Sequence, residues 1–143
     1  MATNRYIQVS FWTDPKIADD FTPQEKYFYL YLLTNPHTNL CGCYELSVRQ
    51  MCIETGYSTE DICVLIDRFA LIHNIMRYSR ENKEVLLFNW HKYNWTSSNK
   101  LRAAILNSIK TVKTEEFKDY LMAHFENRNT QLDETELKTN GTI

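Results

Sequence analysis

The run Cys41–Trp90, CGCYELSVRQ MCIETGYSTE DICVLIDRFA LIHNIMRYSR ENKEVLLFNW, decides the fold. Gly42-Cys43-Tyr44-Glu45-Leu46 alternates as a short strand does. Ser47 stands three residues before Gln50, the capping-box spacing that satisfies orphan amides at a helix start. The helix it opens stops at Gly56, a residue free to take the left-handed conformation of a tight exit. Ser58 and Thr59, followed by Glu60 and Asp61, open a second helix with Ile62, Leu65, Ile66 and Phe69 at helical spacing. Ile75–Tyr78 and Glu84–Phe88 then flank the polar turn Ser79–Lys83 as a two-stranded wing. Strand, helix, turn, helix and wing in that order predict a winged helix-turn-helix, a module that more often docks on nucleic acid or protein than catalyses.

Outward from this run, the chain of 143 residues has the size of one domain with a normal core. Its 43% hydrophobic and 24% charged content is that of a soluble globular protein, and only three Gly and three Pro leave room for long helices. The predicted fold class is therefore mainly α with a small β wing, carrying extra N- and C-terminal helices. No apolar run approaches the roughly 20 residues of a membrane helix. Met1–Gln8 lacks the pattern of a secretory signal, so a cytoplasmic location is expected.

Tyr6-Ile7-Gln8-Val9-Ser10-Phe11 alternates and predicts a short strand or extended arm, ended by a turn at Asp14-Pro15. Thr22-Pro23-Gln24-Glu25 is a second capping box with Pro at the first helical position. The helix it opens runs through Tyr27-Phe28-Tyr29-Leu30-Tyr31-Leu32-Leu33, apolar on every face, and so requires cover all round. That cover comes either from its own domain or from a second chain. Phe11, Trp12, Tyr27, Phe28 and Tyr31 are the candidate oligomer contacts. Asn35–Asn39 reads as a loop and Asn89–Trp95 as an aromatic connector. Thr96–Asn99 supplies caps for a helix with Leu101, Ile105, Ile109 and Val112 on one stripe. Thr114 opens a last helix with Phe117, Leu121 and Phe125. The expected domain spans residues 1–126, with its wing at about 74–89 and its C-terminal helices at about 99–126. Residues 127–143 turn polar and read as a disordered tail or linker.

The net charge of −2 hides an uneven distribution. Residues 1–76 carry a balance of −4, residues 77–113 a balance of +6, and residues 114–143 a balance of −4. The basic third begins at the wing and holds Arg77, Arg80, Lys83, Lys92, Lys100, Arg102, Lys110 and Lys113, the candidate DNA-binding residues. Cations on a wing and a helix flank suit phosphate contact with counterion release, although a solvated helix face has the same composition. The second helix of the helix-turn-helix reads differently. Glu60, Asp61 and Asp67 favour a helix start but repel phosphate, and a sequence-reading helix usually offers Arg, Lys, Asn or Gln there. That helix is expected to be structural or protein-facing. Trp90, His91, Tyr93 and Trp95 could stack bases, but the preferred reading is an aromatic hinge.

No catalytic residues are predicted. The four histidines are scattered, no serine or cysteine has a nucleophile setting, and three glycines cannot build a phosphate loop. No metal or other cofactor is predicted either. Cys41 and Cys43 are only one residue apart, whereas zinc knuckles space their pair by two to four, and Cys52 and Cys63 fall on separate helices. All four read as reduced, packed thiols.

Phe11–Lys16, Phe21–Pro36, Cys41–Leu46 and Asn89–Trp95, taken together, resemble the N-terminal domain of phage replisome organisers, relatives of the DnaD primosomal proteins of low-GC Gram-positive bacteria. The resemblance covers about residues 5–125. It implies a self-associating winged-helix domain acting in replication initiation, where it recognises or remodels origin DNA and helps bring in the helicase. In that family a separate C-terminal domain carries much of the DNA and helicase binding. Residues 1–143 are expected to correspond to the winged-helix part alone, either as an excised fragment or as a short natural version. The expected function is thus a non-enzymatic DNA-replication module, a homodimer or higher oligomer, that binds DNA nonspecifically and meets primosomal or helicase-loading proteins in the bacterial host cell. Two alternatives stand beside it. One is a stand-alone phage interaction or inhibitor module that binds a host protein through its acidic surfaces. The other is a small winged-helix transcription regulator.

Overall fold

A computed structural model describes residues 3–95 and 98–127 of the chain. Its fold is mainly helical around one small three-stranded antiparallel sheet. Helix α1 (Pro23–Thr34) begins as its sequence requires. The Thr22 hydroxyl accepts from the Glu25 amide at 3.1 Å, and the Glu25 carboxylate accepts from the Thr22 amide at 3.1 Å. Strand β1 (Cys43–Glu45) leads to helix α2 (Val48–Thr55), opened by the reciprocal Ser47–Gln50 box. Helix α2 closes on Gly56 at φ +85°, whose amide donates to the Cys52 carbonyl. The Ser58 hydroxyl caps α3 (Thr59–Asp67) by accepting from the Asp61 amide. Each such cap is worth about 1 kcal/mol over alanine.

Helix α3 runs on into a π-helical turn, Arg68–Ile72, that buries Phe69 completely. The hairpin expected as the wing follows as β2 (Met76–Ser79) and β3 (Glu84–Leu87). Strand order is β1-β3-β2, with Cys43 opposite Leu86, Tyr44 opposite Val85 and Tyr78 opposite Val85. The central strand β3 is buried along its whole length. Helix α4 (Trp90–Asn94) and helix α5 (Asn99–Lys110) come next, and α6 occupies residues 115–127. One core joins Phe28 and Leu32 of α1, Met51, Ile62 and Phe69, the strands, and Ile105, Ile109 and Leu121 of α5 and α6.

Three sequence expectations come out differently. Tyr6–Phe11 forms no strand; Val9–Trp12 is a 3₁₀ turn. Bonds from Phe11 to Gln8 and from Thr13 to Ser10 satisfy this backbone locally, while the Phe11 ring anchors on Tyr29 at 5.9 Å. A short alternating run fits such an anchored turn as well as a strand. The aromatic connector is helical from Trp90, entered through Asn89 at φ +69°. Finally, α1 is only partly covered: Phe28 and Leu32 are fully buried, Tyr29–Tyr31 and Leu33 are half-buried, and Tyr27 is 45% exposed. Thr96 and Ser97, two of the expected caps of α5, and residues 128–143 of the expected tail lie outside the described residues. Ser98 is the N-cap of α5 without a side-chain cap bond, and residue 127, expected in the tail, ends α6.

Candidate nucleic-acid interface

The wing and the C-terminal helices are built as one unit, and a buried carboxylate joins them. Glu84, at the start of β3, is 2% exposed. Its two oxygens accept from the Lys113 amide at 2.9 Å, the Thr114 amide at 2.7 Å and the Thr114 hydroxyl at 2.6 Å. From the β2–β3 turn, the Asn82 amide nitrogen donates to the Thr114 hydroxyl oxygen at 2.9 Å. The turn between α5 and α6 is thus tied to the base of the wing, and the carboxylate faces the start of α6, where helix amides are otherwise orphaned. The sequence offers no local signal for this contact, because the partners lie 30 residues apart.

This joint sets Lys83, the chain neighbour of Glu84, near Lys113; the other candidate cations are placed by their own elements and contacts. Lys83 is exposed in the wing turn at φ +53°, and Lys110 is exposed in the last turn of α5. Lys113, also exposed, pairs with Glu45 of β1, which raises the pKa of its ammonium. Lys100 is exposed at the start of α5, and Lys92 is exposed on α4. The Arg102 guanidinium lies 5.8 Å from the Phe125 ring centroid, close to the His124 that Lys92 influences electrostatically. Among the described residues, Lys83, Lys92, Lys100 and Lys110 make no ion pair.

Two cations are placed otherwise than the sequence suggests. The Arg77 guanidinium donates to the Ala70 carbonyl at 3.0 Å, the Met76 carbonyl at 2.9 Å and the Asn74 side-chain oxygen at 2.8 Å. It also lies 4.9 Å from the Phe88 ring centroid, so Arg77 is a brace between the helix end and the wing. Arg80 is exposed but turned toward α3, 4.0 Å from Asp67 and 3.7 Å from the Cys63 sulfur.

Of the candidate oligomer contacts, Phe11 and Phe28 are 6% and 0% exposed and belong to the core rather than to a surface. Trp12 is 59% exposed. Tyr27 donates to the Thr55 carbonyl at 3.1 Å, and Tyr31 donates to Glu54. Burial, followed by that carboxylate, pushes the Tyr31 phenol well above its ordinary range. The aromatic run divides: Trp90 and Trp95 are buried, and both indole N–H groups donate to the Leu40 carbonyl. Tyr93 remains exposed, and His91 stacks on His124 with ring centroids 4.3 Å apart.

Cys41 and Cys43 are buried, and burial pushes both thiols up. No metal-holding group of three or more His, Cys, Asp or Glu side chains occurs among the described residues, and none of their helices is long and apolar enough to cross a membrane.

Sequence reasoning also missed a buried polar knot. Glu25 is 1% exposed and meets His73 (5% exposed) and Arg68. Burial pushes the Glu25 carboxyl up, but hydrogen bonds from Thr22, His73 and Arg68 outweigh it and leave the pKa lowered. The knot ties the start of α1 to the end of α3. Its only trace in the sequence is the capping-box glutamate, which capping alone explains. Between the N-terminal segment and α4 lies a cleft of about 180 Å³, lined by Phe11, Tyr29, Phe88 and Trp90. Compared with family models, with curated proteins and with solved structures, the chain finds no match in any of the three.

Proposed function

We propose that this chain is a non-enzymatic winged-helix module of a phage-type replication initiation protein, which self-associates in the host cytoplasm and holds DNA through phosphate contacts. Helix α1, strand β1, helices α2 and α3 and the β2–β3 hairpin succeed one another in winged-helix order, with the hairpin closing back on β1. The observation that carries the DNA reading is the Glu84 joint. It holds the exposed Lys83 of the wing beside the turn that carries Lys110 and Lys113. Lys100 extends the cationic row about 15 Å further along α5, at roughly 1.5 Å per residue. Helix α3 is not the reading element here, because Glu60, Asp61 and Asp67 are all exposed on it. Contact with phosphates rather than base edges predicts weak sequence preference and strong salt dependence.

The test is binding to labelled single- and double-stranded DNA across a salt series. For about four phosphate contacts on duplex DNA the slope of log K against log salt is near −3.6, at roughly −0.9 per contact. Lys83→Glu with Lys110→Glu is expected to weaken binding at least tenfold. Arg77→Gln is expected to lower stability by about 1–3 kcal/mol, the worth of hydrogen bonds to a charged group, and to leave the salt slope unchanged. A folded K83E/K110E chain that binds as the unaltered protein does removes the wing patch from the mechanism.

A second reading, a module that binds a primosomal or host protein without a DNA role, is favoured by the acidic surface of α3. Absence of DNA binding at low salt by the folded chain selects it.

A further inference from the structure

The exposed side of α3 is both apolar and acidic. Ile62, Leu65 and Ile66 face the core, while Glu60, Val64 (57% exposed) and Asp67 line the outer side, and Leu71 (81% exposed) continues that side past the helix. An exposed valine and leucine two turns apart, with carboxylates at either side of the valine, make this side a stripe whose charge and shape suit cover by a complementary cationic helix face.

A matching stripe occurs on α5. Beyond Asn99 at its start, the exposed positions of α5 are Lys100, Ala103, Asn107 and Lys110, with cations at both ends of the stripe and a small residue between. Small residues let a neighbouring helix approach closely, which is what a protruding Val64 requires. Glu60 and Asp67 are separated by about 10 Å along their axis and Lys100 and Lys110 by about 15 Å. Long lysine stems span the difference and reach both carboxylates, Asp67 alongside the exposed Arg80 4.0 Å from it.

The two stripes cannot meet within one chain. Helix α3 belongs to the β2 edge of the sheet: Arg77 of β2 donates to Ala70, and Arg80 lies beside Asp67. Helix α5 belongs to the β1 edge, where Ser108 meets the Cys41 thiol and Lys113, just past the helix, pairs with Glu45. β1 and β2 are the outer strands of the order β1-β3-β2. No hydrogen bond or ion pair joins α3 to α5 among the described residues.

We propose that the occupant of the α3 stripe is the α5 stripe of a second copy of this chain. Complementary faces at opposite edges make the contact head-to-tail, so each added copy leaves one acidic and one basic face open and assembly continues past two chains. The proposal rests on the self-association of the proposed function and stands with or without DNA binding, since the contact involves protein alone. Arrest at a dimer would spare self-association and overturn this contact.

Sedimentation velocity of the full chain over a concentration series, without DNA and at low salt, tests it. The average mass is expected to rise beyond two copies and to fall as salt is added. Glu60→Lys with Asp67→Lys, or Lys100→Glu with Lys110→Glu, should weaken association at least tenfold. All four changes in one chain exchange the charges of the two faces and should restore it. Circular dichroism confirms that each variant is folded, as expected for changes at exposed positions. A chain that stays monomeric, stops at a dimer, assembles equally well with either pair reversed, or fails to recover with all four changes overturns the proposal.

Discussion

A methyl group added at Gly42 would sit 2.3 Å from Cγ of Trp90, with two more atoms of that side chain within 2.6 Å. The backbone there has φ +81°, the left-handed region that a side chain occupies only at a cost of roughly 1–2 kcal/mol. Trp90 cannot withdraw freely, because its indole N–H donates to Leu40 and its ring is 3% exposed. Gly42→Ala therefore combines backbone strain with overpacking, and we expect a loss of about 2–5 kcal/mol in urea unfolding. Gly56 has a similar φ of +85° but open space around it, so alanine there meets strain alone and should cost about half as much. Gly56 was legible in the sequence as a helix stop. The demand at Gly42 was not, because it is set by a tryptophan 48 positions later that only the folded chain brings near.

At the scale of elements, the sequence showed what neighbouring residues decide among themselves. Both predicted capping boxes, Thr22–Glu25 and Ser47–Gln50, form, because each needs only a side chain three residues away. The wing strands fall within a residue of their expected bounds, since Val85, Leu86 and Leu87 have no polar face to offer water. What failed was anything decided by a distant partner, such as whether a cation faces solvent. Arg77 and Lys83 look alike in the basic run, yet the carbonyls of Ala70 and Met76 claim the first and nothing described claims the second. The packing of α6 on α4 is another case of remote pairing. His124 of α6 stacks on His91 of α4 and tilts against Tyr120 of its own helix, and burial, then the nearby Lys92 charge, lowers its pKa below the ordinary 6.5. A histidine that resists protonation in the fold accepts the proton more readily when unfolded. Stability from this joint is thus complete above about pH 6.5 and declines as pH falls toward the lowered value. Thermal stability of the unaltered chain should fall as pH drops below about 6.5, and His124→Phe, which keeps a ring against Tyr120, should flatten that decline. An equal decline in both chains would assign the effect to other groups.

The whole molecule separates its charge along the sequence, and the fold turns that separation into faces. The acidic first half places Glu60, Asp61 and Asp67 on an outer helix at one sheet edge, and the basic third places Lys100 and Lys110 on an outer helix at the other. DNA phosphates and the carboxylates of a neighbouring copy are then rivals for the same ammonium groups of α5. Lys83 and Lys113 stand apart from that contest, because the wing turn and the α5–α6 turn lie outside the α5 stripe. Duplex DNA has about one charge per 1.7 Å of axis, far denser than the carboxylates spaced along one face of α3, so DNA should win where both are present. Adding a short duplex to the assembled chain at constant low salt is therefore expected to shorten the assembly toward one or two chains per duplex. Sedimentation detected through both protein and a DNA label follows the two components separately. Raising salt in the presence of the duplex should also shorten it, but with the protein sedimenting apart from the label. If the assembly keeps its mass while taking up DNA, the lysines of α5 are not shared, and the wing turn with Lys83 and Lys113 is left to hold the phosphates.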